Sequence, residues 1–328
     1  MSKYYPELSA EFKKLLDAAK GAKIAVVGHM RPDGDCIASE YAMAEILRGA
    51  GAREIAILNQ NPMPRLYENF ADSSVLKSAA DFDDASFEIV AVDCADYART
   101  NLALCGRFPR PLACIDHHAT NPRYARINII DSDASATAEL IAAICFDLEI
   151  ELSKRSAMLL YMGLVMDTRQ FTTSSTRLAS FEIAAKLVHK GADPAWVAVQ
   201  LYQREKFGKL KLLGYYLDSL KTYFGGKVCI GILPAGIFEK TDSEKSDSDG
   251  LVDYARSVDG VEIAALIEEL PNGSKGSLRA KNPDYRVDEI ASVFGGGGHH
   301  AAAGFTAVGE TPETLLPKLL PLIQERLK

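Results

Sequence analysis

Three apolar runs in the first half of the chain each end in residues that bind metal ions. Ile24 to Val27 leads into Gly28-His29 and then Pro32-Asp33-Gly34-Asp35. Ile89 to Val92 leads into Asp93, and Pro111 to Ile115 leads into Asp116-His117-His118. Short buried strands of an open α/β sheet bind ligands just beyond their C-terminal ends, so three such ends would bring these groups together. Hard divalent cations take carboxylate oxygens, and imidazole shifts the preference towards manganese, iron or zinc and away from calcium. A pair of ions about 3.5–4 Å apart needs one carboxylate between them and a set for each. His29 and Asp33, four residues apart on a turn constrained by Pro32 and Gly34, suit one ion. Asp35 can face the neighbouring position, Asp93 is the natural bridge and His117 offers a nitrogen to the second ion. Asp167, at the end of a helical stretch from Gly163, supplies a further acid. Water on such a pair ionises near neutral pH instead of about 15.7, which is the chemistry of hydrolysis at phosphorus.

A single His or Asp at a strand end is ordinarily a helix cap or a surface residue. The distribution of histidine argues for more. Of six, His29, His117, His118, His299 and His300 all lie at strand ends or beside a glycine run, and only His189, on a helical stretch, reads as structural. The glycine run is Gly295 to Gly298, followed by His299. Its backbone at Gly296, Gly297 and Gly298 can approach a ligand closely and turn amide groups to an anion. His299 is placed to donate to a phosphate or stack on a base. Arg279, on a preceding strand, is the expected phosphate clamp, because guanidinium grips phosphate oxygens in pairs. Lys275, Lys281 and Arg286 would add positive charge nearby.

The elements that position these groups follow from periodicity. Up to about residue 190, strand-like and helix-like segments alternate, the pattern of βαβ units around a parallel sheet. Ile37, Tyr41, Ala44 and Leu47 fall on one helical face. Ser132 or Asp133 is expected to cap a helix through 138–145, and Ser153 the next, ending near Asp167. Helices are expected at about 176–190 and 194–203, and Leu210, Leu213, Leu217 and Leu220 suggest a connecting helix. Strands are expected at 227–233, 261–270 and 277–280, the last two joined by a Pro-Asn-Gly turn. Thr241 to Gly250 reads as a solvated acidic loop, and a final amphipathic helix begins near 312. The expected plan is a parallel-sheet domain over 1–190, a helical linker over 191–225 and a smaller α/β domain over 226–328.

Composition narrows the function. The 328 residues are 48% hydrophobic and 25% charged, with a net charge of −7. Such a chain has no overall field for long nucleic acid, so an anionic substrate must be held locally. The N-terminus reads as an amphipathic helix and not a signal peptide. The longest apolar run, Ala157 to Met166, falls short of the roughly 18 residues of a membrane span. Six cysteines without zinc-like spacing read as reduced thiols of a cytoplasmic protein.

In family order, Gly28-His29, Pro32-Asp33-Gly34-Asp35, Ser39, Val92-Asp93, Asp116-His117-His118, Ser135 to Glu139, Gly163 to Thr168 and the GGGGHH stretch resemble the DHH phosphoesterase superfamily. The similar subgroup joins a DHH domain to a DHH-associated domain, with the active site in the cleft between them. The resemblance implies one ion on His29, Asp33 and Asp93 and another on Asp35, Asp93, His117 and Asp167. Manganese is the implied metal, with magnesium or cobalt as alternatives. It implies that His118 meets the substrate phosphate, that Asp116 orients its neighbours, and that Arg279, His299 and the Gly296–Gly298 backbone hold the substrate. Where the family commonly has Asp-Thr-Gly, this chain has Asp167-Thr168-Arg169, and Asp96 is an acid outside the implied ligand set.

Inorganic pyrophosphatases of the superfamily carry a different second domain, single-strand exonucleases are longer, and membrane-bound cyclic-dinucleotide phosphodiesterases have spans that this chain lacks. The resemblance therefore implies the compact type that degrades nano-RNA and linear dinucleotides to mononucleotides and dephosphorylates 3′-phosphoadenosine 5′-phosphate. The alternatives are a cyclic di-AMP phosphodiesterase, an exopolyphosphatase, or a nucleotide-binding regulator without turnover. A homodimer is implied by analogy.

Overall fold

The structure is a computed structural model and describes residues 3–327. The chain divides into two compact units, Met1–Arg204 and Glu205–Lys328.

In the first unit, α1 (Pro6–Ala19) precedes β1 (Lys23–Val27), α2 (Gly34–Gly49), β2 (Glu54–Asn59), β3 (Leu76–Ser78) and β4 (Phe87–Val92). Then come α3 (Leu102–Arg107), β5 (Ala113–Asp116), β6 (Ile127–Ile130), α4 (Thr137–Asp147), α5 (Lys154–Asp167), α6 (Leu178–His189) and α7 (Pro194–Tyr202). The six strands are parallel in the order β3-β2-β1-β4-β5-β6. Alternation sorts their side chains: Ile24, Val26, Val90, Val92 and Ile115 join the core formed with α1, α2, α4 and α5, while Ala25, Val27, Ile89, Ala91 and Cys114 join the opposite layer with Tyr97 and Leu104. Coverage on both faces is why these strands read as continuous apolar runs. The strand order reverses direction between β1 and β4, so the crevice beyond their C-terminal ends is the expected ligand site of such a sheet.

The helix through 138–145 is present as α4, but neither Ser132 nor Asp133 caps it. Its N-cap residue, Ala136, contributes no side-chain bond. The Asp35 carboxylate, far away in sequence, takes the first free amides instead. A cap supplied from another helix leaves no local sequence signal.

In the second unit, α8 (Phe207–Asp218), β7 (Lys221–Tyr223), β8 (Val228–Leu233), α9 (Ile237–Thr241), α10 (Leu251–Arg256), β9 (Ile263–Leu270) and β10 (Gly273–Ala280) come first. They are followed by α11 (Val287–Val293), β11 (Gly297–His299), β12 (Ala302–Val308) and α12 (Pro312–Arg326). The sheet order is β11-β12-β10-β9-β8-β7, antiparallel except for β8 with β9. Of the stretch expected to link the domains, α7 belongs to the first unit and α8 to the second. The leucine stripe forms only part of the buried face, with Leu213 and Leu220 packed against the core. Leu210 and Leu217 are exposed, whereas Leu212 and Tyr216 are buried, the tyrosine ring seated against Gly231. The expected loop at 241–250 is partly ordered as a turn of 3₁₀-helix over Lys245–Ser248, with Thr241 and Ser248 buried and Ser248 Oγ donating to Glu268 Oε1 at 2.9 Å. Hydroxyls and carboxylates with local partners can be buried in a segment whose composition looks solvated. Among the described residues no helix is long and apolar enough to cross a membrane.

One contact ties the first unit's packing to its chemistry. A Cβ at Gly163 of α5 would lie 2.7 Å from Ala138 Cβ, 2.9 Å from Ala38 Cβ and 2.9 Å from Asp35 Oδ1. Gly163→Ala should therefore overpack three helices and cost about 1–3 kcal/mol, read as a lower unfolding midpoint in urea. An unchanged midpoint would show that the helices separate freely there.

Candidate metal centre

Gly28-His29 leaves β1 beneath the first turn of α2. His29 is buried, and its Nδ1 lies 2.9 Å from the Met30 carbonyl, so Nδ1 donates there and Nε2 is the nitrogen that would present its lone pair to an ion. That Nε2 is 3.4 Å from Asp93 Oδ2 and 3.8 Å from Asp33 Oδ1. His117, beyond β5, is set in the same way. Its Nδ1 lies 3.2 Å from the Ala134 carbonyl, and its Nε2 faces Asp167 Oδ2 at 3.4 Å and Asp93 Oδ1 at 3.8 Å. Asp93 thus turns one oxygen towards each imidazole. It does so from a left-handed backbone, φ 52°, at the end of β4, with its N–H donating to Ile115 O at 2.9 Å. Ligand atoms about 2.1 Å from one ion stand about 3.0–3.4 Å apart, so the two 3.4 Å pairs fit ligands of a divalent ion and the two 3.8 Å pairs stand slightly wider. Ligand atoms of Asp35, His117 and Asp167 also lie within 4.8 Å of one another.

Asp33 caps α2, accepting from Cys36 N at 3.1 Å. Asp35 is buried on the first turn of α2, and its oxygens accept from the Thr137 and Ala138 amides at 2.7 and 2.8 Å. Thr137 Oγ1 donates to Asp93 Oδ1 at 2.9 Å. The amino-terminal end of α4, where backbone amides and the helix dipole favour negative charge, thereby holds two carboxylates in fixed orientation. Behind it, the buried Glu139 carboxylate is anchored by Ser135, by Ser180 Oγ at 2.6 Å and by Arg177 at 3.1 Å.

The charge state follows from crowding. Burial, then the charges of Asp93, Asp167 and Asp33, hold the Asp35 carboxyl well above the ordinary range. Burial, only partly offset by His117, pushes Asp167 up to about 6. Burial alone would depress His29, but the carboxylates of Asp33 and Asp93 outweigh it and push the imidazole up to about 10. A cluster that binds protons this avidly is one that a divalent cation would relieve, so the residues present fit such an ion.

His118 lies beside this arrangement, with Nδ1 2.7 Å from Asp116 Oδ1. That bond, and then the Asp116 charge, raise its pKa against the effect of burial. Asp116 is buried; burial is outweighed by His118 and by Asn121, whose Nδ2 donates to Oδ2 at 2.7 Å, so its carboxyl is lowered. Arg169 is exposed and left-handed at φ 46°. Asp96 caps a short turn by accepting from Ala98 N. His189 ends α6 with its side chain exposed.

In the second unit, register places Arg279 opposite Ala302 on β12, and His299 of β11 opposite the same Ala302 from the other side. Both side chains therefore stand on one face, about 10 Å apart across the middle strand. The glycine run is not a free loop. Gly297 and Gly298 pair with Gly304 and Ala303, and Gly298 has φ 151° and no room for a Cβ, which would lie 2.5 Å from Ala302 O. Lys275 and Arg286 contribute less free positive charge than expected, being paired with Glu268 and with Asp288 and Glu289.

Of the residues that steady these carboxylates, Thr137 is visible in the sequence only as part of the Ser135 to Glu139 motif, and Asn121 carries no signal there. Cys36, expected only as a reduced thiol, lies with His29 and Asp93 within ligand-atom range. Burial raises its thiol well above the ordinary value.

A doubly wound sheet whose switch point carries two imidazole-carboxylate pockets sharing one aspartate defines a divalent-metal hydrolase of phosphoester bonds. Residues 23–164 match the DHH family N-terminal domain, and residues 225–328 match the DHHA1 domain. It is 27% identical over 314 residues to the bifunctional oligoribonuclease and PAP phosphatase NrnA of Thermus thermophilus, covering 96% of this chain and 93% of that protein. It is 26% identical over 285 residues to the protein of the same name from Bacillus subtilis, covering 84% and 86%. A solved exopolyphosphatase-related protein from Bacteroides fragilis shares the fold, with a TM-score of 0.82 at 24% identity over 99% of this chain and 98% of that one.

Two outcomes are expected. Thr137→Val keeps the α4 amides but removes the hydroxyl from Asp93, and should weaken manganese binding about 10-fold or more, measured by calorimetric titration; unchanged affinity would remove Thr137 from the site. The second concerns pH. Asp35, Asp167 and His29 all bind protons more tightly in the ion-free folded chain than when unfolded. Their contribution to stability is therefore present in acid and lost as pH rises, through about 6 for Asp167 and about 10 for His29. The melting temperature of chelated protein should fall by about 2–6 °C between about pH 5 and 8, and saturating manganese should abolish that fall. A rise in the chelated protein over the same window would contradict the assignment.

Proposed function

We propose that the protein hydrolyses very short oligoribonucleotides and linear dinucleotides to mononucleotides, and removes the 3′-phosphate from 3′-phosphoadenosine 5′-phosphate. The observation that carries the chemistry is Asp93, with one oxygen directed at each histidine pocket. The substrate class is supported by the names of the Thermus and Bacillus relatives, whose similarity runs through both units. The net charge of −7 also disfavours long nucleic acid.

His29, Asp33 and Asp93 would hold one divalent ion and Asp35, Asp93, His117 and Asp167 the other; with manganese bound they supply positive charge for the phosphoryl oxygens and lower the pKa of water. The rest is done by the chain. Asp116, steadied by Asn121, fixes His118 with its Nδ1–H towards the carboxylate, leaving Nε2 as the proton-bearing atom for a phosphate oxygen. Thr137 and the α4 amides keep Asp93 and Asp35 from rotating. Arg279 and His299 are assigned to the substrate's far phosphate and base, with the Gly296–Gly298 backbone beside them. The proposal sets the enzyme in the cytoplasm, where its reduced thiols persist.

The test is a manganese-dependent release assay on 3′-phosphoadenosine 5′-phosphate, a 5′-phosphorylated diribonucleotide, cyclic di-AMP and polyphosphate. The first two should be turned over, and Asp93→Asn should lose about 10³-fold or more of that activity. Turnover of the cyclic dinucleotide or polyphosphate alone would overturn the substrate assignment, and full activity in the variant would overturn the mechanism.

A further inference from the structure

Outside the ligand set lies a buried acid with no part in the chemistry above. Glu40, on α2 one turn beyond Asp35, has no exposed surface. Its Oε1 accepts from Gly28 N at 2.7 Å and from Asn59 Nδ2 at 2.9 Å. Asn59, at the end of β2, also donates to the His29 carbonyl at 3.1 Å. Asn59 Oδ1 accepts from Asn61 N at 3.0 Å, and Asn61 Oδ1 from Arg31 N at 2.8 Å. A relay thus runs from α2 through the end of β2 to both sides of His29.

We propose that Glu40 is a positioning residue: by accepting from Gly28 and Asn59 it fixes the peptide that carries His29, and so sets that pocket's affinity for its ion. A carboxyl group is a costly side chain to bury. Glu40 Oε2 has no hydrogen-bond partner among the described residues, so core packing alone would favour an apolar residue of similar size. The other oxygen is what the fold uses. Burial pushes the Glu40 pKa up to about 8, so at neutral pH the group is mainly the uncharged acid and acts as an acceptor without adding to the negative charge of the site. Gly28 keeps the approach open, since a Cβ there would lie 2.6 Å from Glu40 Oε1.

The inference rests on the two-ion reading of the centre, and its test reads ion binding without substrate. Full-length wild type, Glu40→Gln, Glu40→Ala and Asn59→Ala are titrated with manganese by calorimetry, and each is melted in chelator. Glu40→Ala should weaken the His29 pocket about 10-fold or more. Asn59→Ala should weaken it in the same direction, and Glu40→Gln, which keeps the accepting oxygen, should restore near-wild-type affinity. Lower melting temperatures with unchanged ion affinity would make Glu40 a packing residue and overturn the proposal. If Glu40→Ala does not fold, unchanged affinity in Asn59→Ala overturns it alone. Wild type that binds manganese but turns over no nucleotide would sink the proposed function and leave this inference standing.

Discussion

The structure is organised around like charge at one point. Asp33, Asp35, Asp93 and Asp167 converge on the switch point of the sheet, and Asp35 and Asp93 are almost completely buried. Carboxylates this close oppose one another's ionisation, so the fold must supply positive potential before any ion arrives. It does so with the start of α4, whose amides take both oxygens of Asp35 and whose Thr137 hydroxyl takes Asp93. The close contacts of α2, α4 and α5 around Gly163 make that possible, because they bring the α4 amides within reach of an acid on α2. Packing and electrostatics are here one requirement met by small residues at a helix junction.

Much of the first unit is legible in the sequence because its signals are local. Strands buried on both faces read as apolar runs, and the acids and histidines that follow them sit where an open sheet presents ligands. The structure brings together His29, Asp33, Asp35, Asp93, His117 and Asp167 from four separate segments. What the sequence hid is what depends on partners distant along the chain. The cap of α4 comes from a residue about one hundred positions away, and Asn121 and Asn59 matter only through the side chains they meet.

The second unit shows the limit of composition as a guide. Its glycine run reads as an anion-binding backbone, and the structure forms it into a short strand whose lack of side chains lets it lie tightly on β12. The acidic stretch before α10 looked solvated, yet it buries Thr241 and Ser248. In both cases backbone pairing or a single side-chain bond decided the outcome, and neither is a property of residue type alone. Arg279 and His299 share one face of the sheet, on either side of β12, through register, which no count of basic residues would have revealed.

Both sheets end in very short strands: β3 and β6 in the first, β7 and β11 in the second, none longer than four residues. A strand of that length offers too few unpaired backbone groups to template the addition of another chain. Edges this short disfavour edge-to-edge aggregation and recognition by strand addition alike. A partner arriving at either sheet's edge would find little backbone to pair with.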